Sequence, residues 1–489
     1  MSLYKYLLFL FLGLLFACKK EIKPPVEPGP EPTEDDHIKA DIYDYFNKYS
    51  LWTEQIPDLD EEGRLEFVKK YSSNNNLLAA LKNMTPFYAG YNGSIDRFSF
   101  LDESNTEGNL SYADGFRMDT NEGYGLYYGW GILSSSATVA YPVIFFVEGG
   151  SPAQKEGVTR GSIVYAVNDD EDITVGYNGS NLNQADVRRV GAKLEAALEA
   201  NTLKLKVETA SAEEKVFTIG YQNSYEIDPV ILDSVYTYPD KNIGYLAYSS
   251  FEEVWPNTHQ NYIKLEEIFA SFKGANIKDL ILDLRYNTGG YVSTAEYLAN
   301  KMVNAANHDK LMFKYVVNEY LATSSQHRSS FQDVYFENQT NQLKLENIYV
   351  LVTEQTASAA ELLISVLKPY LNVVLIAETD RTYGKPVGFF AEEIEDITLW
   401  ATSFKTINAG GYTDYWDGME VDISGVNDYI FKDFGDPEED MIAKALETAG
   451  VSIPTSLRAS SRKTSSAQRG VKLGIINQPK ERNMLKKKD

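Results

Sequence analysis

Short apolar runs that alternate with helical patterns fill the second half of the chain and restrict its fold more than any other feature. The runs long enough to be buried strands are Ile243–Tyr248, Asp279–Leu284, Asn347–Thr353 and Val373–Ala377. Helical spacing separates them, as in residues 261–272 and 358–369. This alternation predicts helices layered on a partly parallel sheet over residues 225–450. Sites in such folds are usually built at the C-terminal ends of the strands.

The first half of the chain has a different character. Residues 37–116 contain two amphipathic stretches, Ile38–Tyr49 and Glu61–Tyr71, and therefore predict a small helical N-terminal domain. Residues 117–219 begin a series of short strands, of which Val143–Val147 is the clearest, followed by a longer helix over Asn183–Ala200. At 489 residues, the chain is long enough for about three domains.

The sequence predicts that the two ends of the chain lie outside the folded domains. Residues 1–17 have one lysine before an apolar run of about a dozen residues, which is too short to span a bilayer but typical of a signal peptide. Residues 18–36 are rich in proline and acids and predict an extended tether. Residues 451–489 are Ser-rich and carry ten basic and two acidic residues, which predicts a disordered tail.

The only cysteine, Cys18, follows directly on the apolar run. This arrangement resembles the lipobox of bacterial lipoproteins, and the resemblance implies that Cys18 is lipidated and anchors the chain in a bacterial membrane. The alternative is a buried cysteine in an ordinary hydrophobic segment. A lipid anchor predicts a location in the cell envelope, on the periplasmic side or at the outer-membrane face.

Composition excludes several classes of function. The net charge is −24, so the chain is a poor general nucleic-acid binder because it would repel the phosphate backbone. One cysteine permits no intramolecular disulfide and no cysteine-based zinc site, and the four histidines are dispersed. We therefore expect neither a metal nor a cofactor. Scattered tyrosines and tryptophans are better explained by packing than by a carbohydrate-binding surface.

Residues 117–219 resemble a PDZ domain of the bacterial protease type. The points of similarity are Glu148-Gly-Gly-Ser-Pro-Ala153, a helix-ending Gly157 and Arg160-Gly161 before a strand, although Ser162 stands where an Asp is usual. The resemblance implies a groove that binds a peptide as an added strand, with Gly125, Leu126 and Tyr127 as the loop that receives its C-terminal carboxylate. The alternative is a small β-domain with a closed edge and no ligand.

Three segments of residues 225–450 belong to one sequence pattern: Asp283-Leu-Arg-Tyr-Asn-Thr-Gly-Gly290, Thr356-Ala-Ser-Ala-Ala-Glu361 and Thr382-Tyr-Gly-Lys385. Together they resemble the S41 peptidases, the C-terminal processing or tail-specific proteases. The resemblance implies a multidomain α+β protein: a small helical N-terminal domain, a PDZ-like β-rich domain and an α/β, ClpP/crotonase-like serine protease core.

The residues of these motifs suit acyl-transfer chemistry. Ser358 lies between a buried strand and a helix start, where free amides and the helix dipole favour developing negative charge. A plain N-cap serine, completed by Glu361, is the structural alternative. With no histidine in any motif, Lys385 is the candidate base, because an amine held away from water gives up its proton more readily. The resemblance gives the same Ser–Lys dyad.

Backbone amides are expected to complete the site. The resemblance implies an oxyanion hole formed by the N–H groups of Gly290 and Ala359, with Gly289 and Glu361 in support. A glycine pair needed only for a tight turn is the alternative. Asp283 and Arg285 are expected to brace this loop.

Two function hypotheses follow. The first is a cell-envelope serine endopeptidase that cleaves unfolded or C-terminal peptide segments through an acyl-enzyme. The second is a catalytically weak or inactive peptide-binding scaffold with the same fold. The second is favoured by one departure: the glutamine that S41 enzymes often place four residues after the lysine is Phe389 here. No sequence feature defines the oligomeric state or the residue that orients Lys385.

Overall fold

The computed structural model describes residues 31–102, 120–451, 470–479 and 484–485. Its helices are α1 Glu34–Tyr49, α2 Glu61–Val68, α3 Asn74–Lys82, α4 Pro152–Lys155, α5 Gln184–Leu198, α6 Gln260–Gly274, α7 Val292–Met302, α8 Glu319–Thr323, α9 Ala359–Leu367 and α10 Asp440–Thr448. Short 3-10 helices lie at Thr53–Gln55, Ala305–Asn307 and Arg328–Phe331.

The strands of the described residues are β1 Phe87–Tyr88, β2 Gly93–Ser94, β3 Phe100–Asp102, β4 Thr120–Gly123, β5 Leu126–Ile132, β6 Val139–Val147, β7 Ile163–Val167, β8 Val175–Gly176, β9 Thr202–Glu208, β10 Glu214–Gly220, β11 Gln222–Glu226, β12 Val230–Thr237, β13 Asn242–Tyr248, β14 Asp279–Asp283, β15 Leu311–Val317, β16 Val334–Tyr335, β17 Asn347–Leu351, β18 Asn372–Ile376, β19 Val387–Ile394, β20 Ile397–Asn408, β21 Val471–Ile475 and β22 Met484–Leu485.

A five-stranded sheet carries the parallel core predicted from the apolar runs. Its order is β12-β13-β14-β17-β18, and β13, β14, β17 and β18 run parallel. Their side chains are buried because helices such as α6, α7 and α9 contribute to the same apolar core. The predicted α/β architecture is therefore confirmed for this region, and the ends of β14 and β17 lie side by side.

A second sheet, of order β16-β15-β20-β19-β22, stands beside the first, and β3 pairs with β20. Its long hairpin β19–β20 begins two residues after Lys385. The hairpin thus connects the third sequence motif to a rigid, buried strand pair.

The predicted N-terminal helices are present, but they share the apolar core of the parallel sheet. Ile42, Tyr43 and Phe46 of α1 belong to the same cluster of buried side chains as β13 and β14. The segment therefore does not have a separate core, since its apolar faces pack onto the rest of the chain. Helix α1 also begins at Glu34, inside the predicted tether, because the Thr33 hydroxyl accepts a hydrogen bond from the N–H of Asp36 over 3.2 Å.

The β-rich unit, residues 120–226, has its own core around one sheet. The order is β10-β9-β7-β6-β5-β21, with β8 paired to β6, and α5 contributes Val190 and Leu194 to the apolar side. Gly157 follows α4 in the left-handed region, at φ +82°, and so ends that helix as predicted.

The prediction of a wholly disordered tail is wrong for residues 470–479 and 484–485. Strand β21 extends the sheet of the β-rich unit, and β22 pairs with β19. Composition could not predict these strands, because strand addition uses backbone hydrogen bonds that do not require particular residue types. The predicted lipidation site, Cys18, lies outside the described residues.

Candidate active site

The first two motifs meet because they follow adjacent parallel strands. The loop after β14 carries residues 283–290, and the loop after β17 leads to Ser358. Two hydrogen bonds join the loops: the N–H of Ala357 donates to the carbonyl of Asn287 over 3.1 Å, and the Thr356 hydroxyl donates to the carbonyl of Leu284 over 2.8 Å. The third motif is attached by the N–H of Tyr383, which donates to the carbonyl of Thr356 over 3.1 Å.

Ser358 has a backbone conformation that few side-chain-bearing residues adopt. Its φ is +60° and its ψ is −117°, just before α9 begins at Ala359. Such strain persists only where the surroundings enforce it, and it is concentrated at functional sites. The side chain is fully buried, and its Oγ makes no hydrogen bond within the described part of the protein. The N–H of Ser358 nevertheless donates to the Glu361 carboxylate, as in the predicted capping box.

Glu361 provides the other half of the predicted cap and also reaches the lysine loop. Its buried carboxylate accepts hydrogen bonds from the N–H groups of Ser358 (3.0 Å), Gly384 (2.9 Å) and Lys385 (2.8 Å) and from the Thr382 hydroxyl (2.5 Å). Burial raises the pKa of Glu361, although these four donors act in the opposite direction. Glu361 is thus a positioning residue that ties the candidate nucleophile and the candidate base to one side chain.

Lys385 is 3% exposed, and two aromatic rings face its ammonium group. Nζ lies 5.4 Å from the ring centroid of Phe98 and 5.1 Å from that of Phe389. Cation–π contacts of this kind are among the interactions that fix the position of the amine. Phe389, which stands in place of the usual glutamine, therefore contributes to holding Lys385.

The sequence did not indicate the contribution of the N-terminal segment to this site. Besides Phe98, Arg97 stacks on Tyr383 and directs Nη2 toward the carbonyl of Gly384, 3.3 Å away. The only signal in the sequence would have been an aromatic and basic pair in a segment without a strong pattern, and that signal is weak.

Gly290 and Ala359 are buried, and their backbone amides are the candidates for an oxyanion hole. Among the hydrogen bonds of the described residues, neither the N–H of Gly290 nor that of Ala359 has a protein acceptor. Gly290 is at φ +138°, and a Cβ there would lie 2.3 Å from the carbonyl oxygen of Phe251, so only glycine fits. Gly289 supports the loop: its carbonyl accepts from the N–H of Phe251 over 2.8 Å. Buried donors without partners are uncommon, and an oxyanion hole requires them.

A cavity of about 300 Å³ opens at the lysine. Its walls are formed by Thr288, Glu354, Gln355, Ala357, Tyr383, Lys385, Gln478 and Pro479. The last two residues belong to the C-terminal tail, which therefore forms part of the wall of the site.

A network of buried charges braces the loop that ends at Gly290. Arg285 pairs with Asp283 (2.7 Å), Asp428 (2.9 Å) and Glu439 (3.1 Å), as expected for a bracing role. Arg160 of the β-rich unit also binds Asp428, over 2.7 Å. Burial alone would raise the pKa of Asp428, but Arg160, Lys472 and Arg285 together hold it well below its usual range.

The predicted carboxylate loop receives a side chain of this protein. Gly125, at φ +68°, packs against Ser151, and the carbonyl of Leu126 accepts from Nδ2 of Asn477 over 2.9 Å. Tyr127 points to the other face, where its ring stacks on Phe146. The loop therefore contacts an internal peptide segment, and the chain continues past it to Gln478.

Two global observations complete the description. Across the described ranges, no helix has both the length and the apolarity needed to cross a membrane. In the same ranges, His, Cys, Asp and Glu side chains form no group of three suited to hold a metal ion.

Comparison with known proteins agrees with this architecture. Residues 242–424 match the model of Peptidase family S41. The carboxy-terminal processing protease CtpA of Bacillus subtilis is 27% identical over 277 residues, which are 56% of this chain and 51% of that protein. A Staphylococcus epidermidis protein named "Probable CtpA-like serine protease" is 26% identical over 56% of this chain and 48% of its own length. The chain thus spans about half the length of these relatives.

A crystal structure assigned to the S41 proteases, from Bacteroides fragilis NCTC 9343, has the same fold. It superposes with a TM-score of 0.58 at 23% identity and covers 84% of this chain and 97% of its own. At this identity the likeness concerns the fold. Residues 242–424 are thus similar to Peptidase family S41, and the chain resembles the carboxy-terminal processing protease CtpA over about half of its length.

Proposed function

We propose that this protein is a serine endopeptidase that cleaves unfolded or C-terminal peptide segments by a Ser–Lys dyad. The observation that carries the proposal is the state of Ser358: a strained, buried serine whose Oγ has no hydrogen-bond partner among the described residues. Ala359, which follows it, and Gly290, on the loop joined to it by the Ala357–Asn287 hydrogen bond, have amides that also lack a protein acceptor there.

In the first step, the uncharged amine of Lys385 takes the proton of the Ser358 hydroxyl while Oγ attacks the scissile carbonyl carbon. The carbonyl oxygen becomes an oxyanion, and the N–H groups of Gly290 and Ala359 donate to it. Collapse of this intermediate breaks the C–N bond, and the leaving amine takes the proton back from Lys385. The product is an ester on Ser358.

In the second step, water attacks the ester and gives its proton to Lys385. The second tetrahedral intermediate uses the same two amides, and its collapse returns the proton to Ser358 Oγ. The polypeptide leaves with a new C-terminal carboxylate. Neither step needs a metal or a cofactor.

The substrate class follows from the exposed backbone that strand addition requires. A folded segment has already used its backbone hydrogen bonds, whereas an unfolded or terminal segment can pair with β5 in the manner of a PDZ ligand. The contacts of Leu126 and Tyr128 with a peptide strand support this role for the β-rich unit.

The deciding experiment compares cleavage of an unstructured protein, such as casein, by the full chain and by its variants. Ser358→Ala and Lys385→Met should each abolish cleavage. Ser365→Ala, at another buried serine of α9, and Lys405→Met, at a lysine paired with Asp414, should retain it. Equal cleavage by the wild type and Ser358→Ala would refute the proposal.

A peptide-binding scaffold without catalysis is the second candidate. The specific observation in its favour is that Ser358 and Lys385 are both closed off from solvent, at 0% and 3% exposure. This candidate predicts that casein binds but remains intact with the wild type under all conditions. Cleavage that depends on Ser358 excludes it.

For location, we propose lipid anchoring at Cys18 in a bacterial cell envelope. The support comes from the sequence, where the only cysteine follows a short apolar run. A Pro- and acid-rich segment then separates it from α1.

A further inference from the structure

The edge of the β-rich unit is already occupied by a strand of the same chain. β21 pairs antiparallel with β5, in the register Val471↔Ile132 to Ile475↔Gly129. Beyond the strand, the N–H of Ile476 donates to the carbonyl of Tyr128 over 2.7 Å. Strand β5 is the edge at which the sequence resemblance predicts a peptide ligand.

The end of this strand is fixed by one asparagine. Oδ1 of Asn477 accepts from the N–H of Tyr128 over 2.7 Å, and Nδ2 donates to the carbonyl of Leu126 over 2.9 Å. Its amide therefore satisfies both a donor and an acceptor of β5, as a backbone peptide group would.

Two apolar side chains of the segment are partly buried against the β-rich unit. Leu473 and Ile476 pack against the apolar cluster that contains Val190 and Leu194 of α5. Val471 and Ile475 remain 46% and 37% exposed. The backbone approach is close, because a Cβ at Gly129 would lie 2.9 Å from the carbonyl oxygen of Gly474. The groove between β5 and α5 is thus filled.

Charge also favours this occupant. Lys472 pairs with Glu378 and lies 3.4 Å from Asp428, the carboxylate of the buried network. The last 39 residues carry ten basic and two acidic side chains, whereas the whole chain has a net charge of −24. The acidic body and the basic tail therefore attract each other.

From the groove, the segment reaches the catalytic cavity. Gln478 and Pro479 form its wall together with Ala357 and Lys385. Farther on, β22 pairs in parallel with Gly388 and Phe389 of β19, the strand that follows Lys385. The same tail thus contacts both the peptide groove and the surroundings of the proposed base.

We propose that residues 470–479 are an intramolecular pseudosubstrate, which occupies the β5 groove and lines the catalytic cavity until a polypeptide substrate displaces it. The inhibitory part rests on the proposed endopeptidase function. The groove's ligand is an extended peptide with apolar side chains at the positions of Leu473 and Ile476 and an amide side chain at that of Asn477. Because the tail is tethered, its effective concentration is on the order of millimolar, and a free peptide must compete with it.

A binding experiment tests occupancy without catalysis. The full chain carries Ser358→Ala, and the probe is a fluorescent peptide with the sequence of residues 470–479, followed by anisotropy. Ile476→Pro with Asn477→Ala removes three hydrogen bonds of the tail to β5 and should tighten probe binding at least tenfold. Val216→Ala with Thr218→Ala, on the opposite edge strand β10, should bind as weakly as Ser358→Ala alone. Equal binding by all three chains overturns the proposal.

A second variant, with a milder change, tests the same point in case the first variant fails to fold. Lys472→Gln removes only the charge contacts with Glu378 and Asp428 and should tighten probe binding severalfold, more so at low salt. Thermal unfolding and circular dichroism identify a variant that has lost its fold. If both tail variants keep the fold and neither binds the probe more tightly, the tail is not a displaceable ligand, and the proposal is wrong.

A cleavage experiment then tests inhibition in chains that retain Ser358. The released variant should cleave casein severalfold faster than the wild type. Tighter probe binding without faster cleavage refutes inhibition by the tail. If no chain cleaves casein while the binding difference persists, the endopeptidase function fails and the tail remains the ligand of the groove.

Discussion

The backbone N–H groups of Ser358 and Lys385 donate to the same carboxylate oxygen, Oε2 of Glu361, over 3.0 and 2.8 Å. Two segments that are separated by strand β18 are thereby held by one buried side chain. The relative position of the proposed nucleophile and base consequently depends on a residue that does not react.

Replacing Glu361 by Gln should lower kcat/KM for casein about tenfold or more. A glutamine offers one acceptor oxygen, so its NH₂ group faces two of the four donors, and each unsatisfied buried group costs about 1–3 kcal/mol. Steady-state kinetics and urea unfolding measure the two effects. Glu346→Gln, exposed before β17 at the far end of that strand, is the matched control. Activity equal to the wild type would contradict the positioning role.

Phe98 should prove to be part of the site although it lies in the N-terminal segment. Phe98→Leu removes one of the two rings that face Nζ of Lys385, and we expect about a tenfold loss of kcat/KM. Phe98→Tyr keeps the ring face and should retain most of the activity. Kinetics on both variants, with thermal unfolding to verify the fold, check this prediction. Equal loss in both variants would indicate packing rather than ring contact.

Gly290→Ala should reduce kcat about 10²–10³-fold, because its Cβ would meet the carbonyl of Phe251 and displace the loop that carries the proposed oxyanion-hole amide. KM should change little, since this amide acts mainly in the transition state. Gly274→Ala, at the end of α6 with open space around its Cβ, is the control. A kcat unchanged by Gly290→Ala would exclude this amide from the oxyanion hole.

The ionised carboxylate of Asp428 should stabilise the fold near neutral pH, and this stabilisation should be lost in acid. Its pKa lies below the unfolded value, so its ionised form stabilises the fold above about pH 4, and this contribution is lost as the pH falls toward its folded pKa. Asp428→Asn should destabilise the protein at pH 7 by about 3–5 kcal/mol, because Arg160 and Arg285 lose a shared partner.

Urea unfolding of both proteins between pH 7 and pH 3 measures this effect. The difference in the free energy of unfolding should be largest at pH 7 and shrink below pH 4. A difference that stays constant over this range would show that the carboxylate charge of Asp428 is not what stabilises the fold.

Cys18→Ser should release the protein from the membrane fraction of a bacterial host. The wild type should incorporate labelled palmitate, whereas the variant should not, because the serine cannot form the thioether of a lipoprotein. Since Cys18 is the only cysteine, no other thiol of the chain can contribute to the incorporated label. Equal membrane association of the two proteins would contradict lipid anchoring at this residue.

The elements of the parallel sheet and the three motifs could be predicted because their signals are local. Apolar runs such as Asp279–Leu284 and Val373–Ala377 identify strands β14 and β18 within a residue or two. The motif around Ser358 places a helix start directly after it, and α9 begins at Ala359. Parallel strands end at one edge of a sheet, so the meeting of the first two motifs also follows from the pattern.

Other parts of the site could not be predicted, because they depend on contacts between residues far apart in the chain. Phe98 reaches Lys385 only because β3 pairs with β20 and the N-terminal helices share the core. From the sequence, Phe389 indicates only that an orienting glutamine is absent. In the structure, the ring of Phe389 faces Nζ of Lys385.

The sequence by itself determined the strand and helix order of the core, the three motifs that resemble the S41 peptidases and the acidic charge of the chain, since each is carried by neighbouring residues. Only the tertiary structure decided where the C-terminal tail goes and what surrounds Lys385. The physical reason is that an added strand is held by backbone groups that every residue possesses. The pairing of β21 therefore depends on the open edge of β5 and not on the residue types of β21.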